Sequence, residues 1–227
     1  MKKTLTIILA IFCLASCKNK KNDLTEMNLK GKVKSIRETP YKAVEKFGEV
    51  VKGDIYSNEE LLFDEKGNIT EKNIFNIESL EFKWIYKYDE NEKKIEDKLF
   101  SSNGNLISRQ TYKYDEKGNL IETNSLNDDG SLFGKLTYKY DKKGNRIESS
   151  WFNNDGNLDS KHTLKYDEKG NKIEKSRFNK DGILIGQWTY RYTYYDQKDN
   201  WTQRIEYEIE NDIEKASVIT ERTIEYY

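Results

Sequence analysis

The sequence predicts an all-β protein, an antiparallel β-meander that grows as an extended, solenoid-like sheet from two-strand repeats of about 26 residues. Three observations predict it. Tyr88, Tyr114, Tyr140, Tyr166 and Tyr192 recur at a constant step of 26. Each unit carries two turn signals, "YDEKGN" or a near copy and, half a unit later, "NDDG", "NNDG" or "NKDG". In both, Gly supplies a positive φ and Asp or Asn bonds the turn backbone. The stretches between turns are rich in Thr, Tyr and Ile and alternate with period two, which is strand chemistry rather than helix.

The chain opens on a segment that is not part of this pattern. Lys2 and Lys3 precede the apolar run "TLTIILAIFCL", which ends in "LASC" at Cys17. That run is too short to span a bilayer and is built like a secretory signal. With Leu14 and the small Ser16 ahead of Cys17, it resembles a bacterial lipobox. The resemblance implies a signal peptide over 1–16, cleavage before Cys17 and acylation of that cysteine. Cys13 leaves with the signal, so the mature chain has one cysteine and no intrachain disulfide. Residues 17–24, containing "KNKKND", read as a lipid-anchored tether. Without Lys2 and Lys3, the 39 basic and 40 acidic residues become a net charge of −3. Such a chain has no basic field for nucleic acid.

Residues 25–60 are expected to cap the array at its N-terminal end. "GKVKSIRET" there is strand-like, while "YKAVEKFGEVV" is ambiguous between strand and helix, the only helical turn expected lying near 42–48. The array proper runs over 61–192, starting from the degenerate unit at Phe63-Asp64. After Tyr192 the turn lengthens to "TYYDQKDNW", and 193–227 read as the capping repeat that covers the other end.

Alternation sets two faces. In 132–140 one face carries Leu132, Gly134, Leu136, Tyr138 and Tyr140, the other Phe133, Lys135, Thr137 and Lys139. Pairing Tyr114 with Ile121 across the turn sets Lys113 opposite Glu122, and likewise Lys87 opposite Glu96, Lys139 opposite Glu148 and Lys165 opposite Glu174. The neighbouring register would oppose like charges, which destabilises, so the Lys–Glu register is expected. It puts Ile95, Ile121, Ile147 and Ile173 on the tyrosine face. Phe100, Leu126, Phe152 and Phe178 then have the wrong parity. Either a β-bulge returns them to the tyrosine face or they form a second apolar strip behind it.

Candidate sites are few. The stripe Tyr112, Tyr114, Tyr138, Tyr140, Tyr166, Trp188, Tyr190 and Tyr192 can stack on sugars or receive apolar side chains, or it can be the sheet's own core. His162, the single histidine, takes a position held elsewhere by Gln110, Leu136 and Trp188 and reads as an interchangeable strand residue. The acidic turns lack the spacing of calcium loops. No nucleophile–base pair, cofactor motif or metal set is visible.

"YDEKGNLI" resembles the YD repeat of the rearrangement-hot-spot (RHS) family, over about residues 60–210. The resemblance implies an antiparallel meander in which every unit adds strands to a continuing sheet. This chain departs from the family in having only about six units, with no proline-marked self-cleavage segment and no C-terminal cargo. The expected function is a non-enzymatic lipoprotein, anchored to the cell envelope and expected at the outer membrane of a Gram-negative cell. Its sheet would present a surface to an unknown protein or glycan. The alternative is an immunity lipoprotein that binds a toxin at the envelope.

Overall fold

The computed structural model describes residues 21–76 and 78–227. The signal peptide and Cys17 lie outside the described residues. A single helical turn, α1 (Asp23–Glu26), precedes fifteen strands. These are β1 (Val33–Lys46), β2 (Glu49–Ile55), β3 (Asn58–Phe63), β4 (Ile69–Asn76), β5 (Ser79–Tyr88), β6 (Lys94–Ser101), β7 (Leu106–Tyr114) and β8 (Leu120–Asn127). They continue with β9 (Leu132–Tyr140), β10 (Arg146–Asn153), β11 (Leu158–Tyr166), β12 (Lys172–Asn179), β13 (Leu184–Tyr195), β14 (Trp201–Glu210) and β15 (Ile213–Tyr226). The helical turn expected near 42–48 is instead a hairpin joining β1 to β2, with Phe47 and Gly48 both at positive φ.

The sheet is not open. Every strand from β3 to β15 pairs antiparallel with its neighbour, and β15 returns to pair with β1 from Val33↔Tyr226 to Lys42↔Val218. On its other edge β1 pairs with β3 and, farther along, with β2, which folds back outside the ring. The result is a closed barrel of fourteen strands. Closure overturns the solenoid-like extended sheet and, with it, the RHS-type reading of units added to a continuing edge. The physical reason is strand twist, which curls a many-stranded sheet until its two edges can satisfy each other.

The tight turns explain the repeated phrase. In "YDEKGN" Asp115 N–H donates to Asn119 O and Gly118 N–H to Asp115 O, at 2.9 and 3.0 Å, with Gly118 at φ 82°. Asp115 Oδ1 accepts from the backbone of Lys117 and Asn119, and the Asn119 amide closes on Asp115 Oδ2 at 2.8 Å. These bonds, that of the Asn119 amide first, hold the Asp115 carboxyl below its ordinary range. Asp, Gly and Asn are therefore each used for the turn itself, and no calcium site is needed to explain them.

The Lys–Glu register forms as the charges require: Lys87↔Glu96, Lys113↔Glu122, Lys139↔Glu148 and Lys165↔Glu174. The last three close as ion pairs at 2.6–2.8 Å. Tyr114, however, pairs with Leu120 and not with Ile121. A bulge falls at Ile121 and at its equivalents Ile95, Ile147 and Ile173, all of which are exposed. The expectation that these isoleucines share the tyrosine face fails for that reason. Phe100, Phe152 and Phe178 sit opposite Lys83, Lys135 and Lys161, so they form an apolar strip on the charged face.

Candidate functional site: the tyrosine-lined lumen

The first described segment decides which face is inside. The six turns at 64–68, 89–93, 115–119, 141–145, 167–171 and 196–200 form one rim of the barrel. Within ten residues the chain touches turns on nearly opposite sides of that rim. Asn22 donates to Lys66 O at 2.6 Å, Lys21 to Asn119 at 2.7 Å, Asn28 to Lys169 O at 3.0 Å and Lys30 N–H to Asn200 at 2.8 Å. So short a segment reaches all of them only by crossing the mouth. It is a bar across the barrel, and the face it touches is the lumen.

Asn22 caps α1 through a reciprocal pair with Thr25, which fixes the bar's one helical turn. From it Asp23 accepts from Ile69 N–H and Tyr88 Oη and pairs with Lys94 at 2.9 Å. Leu24 and Leu29 pack on Val33, Ile36, Leu61, Phe63 and Ile69, the one apolar cluster of the described residues. A cavity of 590 Å³ opens beside the bar between Tyr88, Lys94 and Tyr114. Glu26 is solvent-accessible there yet ringed by wall, the situation of a group in a wet cavity. Its carboxyl is raised above its ordinary value, first by that enclosure and then by Asp23.

Strand parity brings every residue of the aromatic stripe to this lumen. Tyr114, Tyr140, Tyr166 and Tyr192 each donate to the carbonyl twenty residues earlier, those of Lys94, Leu120, Arg146 and Lys172, at 2.8–3.0 Å. The acceptor is the first residue of each bulged strand, so the hydroxyl satisfies a carbonyl that the bulge takes out of the ladder. The second row is less uniform. Tyr112 donates to Asp97, Tyr138 to Thr123 at 3.1 Å, Tyr190 is buried, and Trp188 lies under Lys175 at 5.2 Å. Burial, before any neighbouring charge, pushes the hydroxyls of Tyr112, Tyr114, Tyr140 and Tyr190 up. His162 also faces inward, and its pKa is lowered by burial and then by Lys175 and Arg177.

The lumen also holds residues that the sequence reading missed. Lys94, Arg146 and Lys172 occupy one repeat position, spaced by multiples of 26 residues with Leu120 between the first two, at the start of β6, β10 and β12. Counted without the bulge, that position falls off the tyrosine face. The signal was the recurrence of a cation there. Lys94 lies 4.5 Å from the Tyr86 ring, Arg146 5.1 Å from Tyr138 and Lys172 4.3 Å from Tyr190. Among the described residues no three His, Cys, Asp or Glu side chains group to hold a metal ion. The arrangement is that of a barrel lined by tyrosines and cations.

Comparison with known proteins assigns the chain to no family: no family model matches it, and no curated protein does. Among solved structures, a porin-like protein from Bacteroides uniformis is similar at 14% identity and TM-score 0.49, over 86% of this chain and 98% of that one. A LolA superfamily protein from Nitrosomonas europaea reaches 8% identity and TM-score 0.33 over 90% and 91%. The Photorhabdus luminescens Tc holotoxin pore reaches 14% and 0.31 over 81% of this chain and 11% of that one. These are distant likenesses. The closed barrel stands on the strand pairing itself, and it is an architecture typical of outer-membrane proteins, consistent with a place in the cell envelope. With the aromatic face turned inward, the open sheet expected to meet a protein, a glycan or a toxin does not exist, and both readings built on it are withdrawn.

Proposed function

We propose that this is a non-enzymatic envelope protein, tethered through Cys17, that holds a small ligand inside its tyrosine-lined barrel. The observation that carries the reading is the turning inward of the aromatic stripe behind a mouth barred by residues 21–30. Aromatic rings in an enclosed space supply apolar area and polar edges to one bound molecule.

Tethering fits the outer face better than insertion. Lys83–Glu71, Lys113–Glu122, Lys139–Glu148, Lys165–Glu174 and Arg191–Glu214 ring the outside of the wall. A lipid-facing Lys or Arg costs about 2–4 kcal/mol near the bilayer midplane. Lys83, Lys98, Lys135 and Lys161 stand mid-strand on that outer face, where this cost would fall. Acyl chains on Cys17 supply the membrane affinity instead.

Two measurements test this together. Cys17→Ser should fractionate as a folded soluble protein. The mature protein should bind neutral N-phenylnaphthylamine, quenching Trp188 and Trp201, and should carry no current across a planar bilayer. A Cys17→Ser protein that stays in the membrane and conducts overturns the reading.

A further inference from the structure

We infer that the lumen between β10 and β14 is a binding site for an organic anion, its oxyanion held by Arg146, Lys172 and Arg204 and its apolar body lying on the half-buried Tyr138, Tyr166 and Trp188 rings. This rests on the lumenal reading above and names the class of ligand.

The lumen's cations fall into two kinds. Lys94 is paired with Asp23, and Arg222 with Glu38. Lys175 and Arg177, which face inward farther along β12, have no carboxylate within 4.0 Å among the described residues, and neither have Arg146, Lys172 and Arg204. These three stand on the alternate strands β10, β12 and β14, so neighbouring positions are separated by about 10 Å of wall. Their side chains converge on rings: Lys172 and Arg204 both lie over Tyr190, at 4.3 and 5.1 Å, and Arg204 also over Trp201 at 5.0 Å. Two like charges lie against one tyrosine ring. Glu206, on the strand of Arg204, is the one carboxylate that acts on Lys172 there.

A second observation points to a missing partner. The Arg204 Nε–H is buried and bonds to nothing. A buried donor without an acceptor is costly, and structures that retain one usually use it. An oxyanion entering beside Tyr190 would accept from Arg204 and sit against the Lys172 ammonium, supplying the charge that the wall leaves out. Cation–π contact holds the cations in place without neutralising them. The half-buried rings of Tyr138, Tyr166 and Trp188 beside them can cover an apolar body, so a bare inorganic ion would use only part of the site.

The test compares two probes of one shape. Anilinonaphthalene sulfonate carries the anion, and N-phenylnaphthylamine does not. Wild-type mature protein should bind the sulfonate about tenfold more tightly or better, the advantage of a charge-assisted bond. Lys172→Gln with Arg204→Gln should remove that advantage and leave the neutral probe bound as before. Lys139→Gln with Lys165→Gln, the same charge change outside the barrel, should alter neither. Retained binding of the neutral probe reports that the double variant is folded. If the sulfonate preference survives the double variant, or never appears while the neutral probe binds, the anion site is overturned and the lumenal reading stands. If neither probe binds, both fall.

Discussion

Two walls of one barrel are built in opposite ways. Beneath α1, the wall of β15, β1, β3 and β4 is packed as a core: Val33 and Ile36 are fully buried, Leu61, Phe63 and Ile69 nearly so, and the charges of Asp23, Lys94, Glu38 and Arg222 are paired. Across the lumen, β9 to β14 carry mostly half-buried tyrosines and cations without carboxylate partners among the described residues. The first wall contributes stability through apolar burial and paired charges. The second forgoes part of both. A wall left wet and unneutralised is where a ligand has something to add.

The largest expected effect sharpens that division. Ile36→Ala removes a fully buried side chain from the packed wall and should cost about 2–5 kcal/mol in urea denaturation. Tyr166→Phe removes only the bond to the Arg146 carbonyl, on the wet wall where water can replace it, and should cost about 1 kcal/mol or less. Equal losses would mean that the lumen is packed on both sides.

Next in size is a pH effect confined to the second wall. Burial first, then Arg204, Lys175 and Arg146 against the opposing Glu206, depress the Lys172 pKa to about 8 from 10.5. Below about 8 both states are protonated and the folded state bears the full penalty. As pH rises past that value the folded state releases its proton first, so stability increases toward pH ~10, where unfolded tyrosines ionise and reverse the trend. The wild-type midpoint should climb over this window, and Lys172→Met should start higher and stay flat. A climb that persists in Lys172→Met would place the titration elsewhere.

The smallest effect concerns the outer face, which both walls share. Lys139→Glu sets a carboxylate opposite Glu148 and should destabilise by up to about 1 kcal/mol, and Glu148→Lys in the same chain should restore most of it. Loss without rescue would break the register.

Local features of the fold were legible. The 26-residue step, the Asp-x-x-Gly-Asn turns and the Lys–Glu ladder each depend on residues within one hairpin. Closure was not legible, because it depends on twist summed over fourteen strands and on Val33–Lys42 finding 218–226, segments that carry no mark of each other. The stripe Tyr112 to Tyr192 was found, but its direction reversed with closure. The cations were hidden by a single-residue bulge: Ile121 carries the hydrophobicity, while Leu120 and its counterparts Arg146 and Lys172 carry the inward position.

The bar across the mouth has a consequence for how such a chain can change its length. In an open stack, units can be gained or lost freely, since each meets only its neighbours. Here Asn22 is tied to the turn of β3 and β4 and Asn28 to the turn of β11 and β12. One more unit would lengthen the wall by about 10 Å, widen the mouth by about 3 Å and move those turns off the contacts that the same six residues now make. The N-terminal segment is thus a ruler: it ties the number of repeats to a fixed span, and a duplication at the array would need a matching insertion some forty residues upstream.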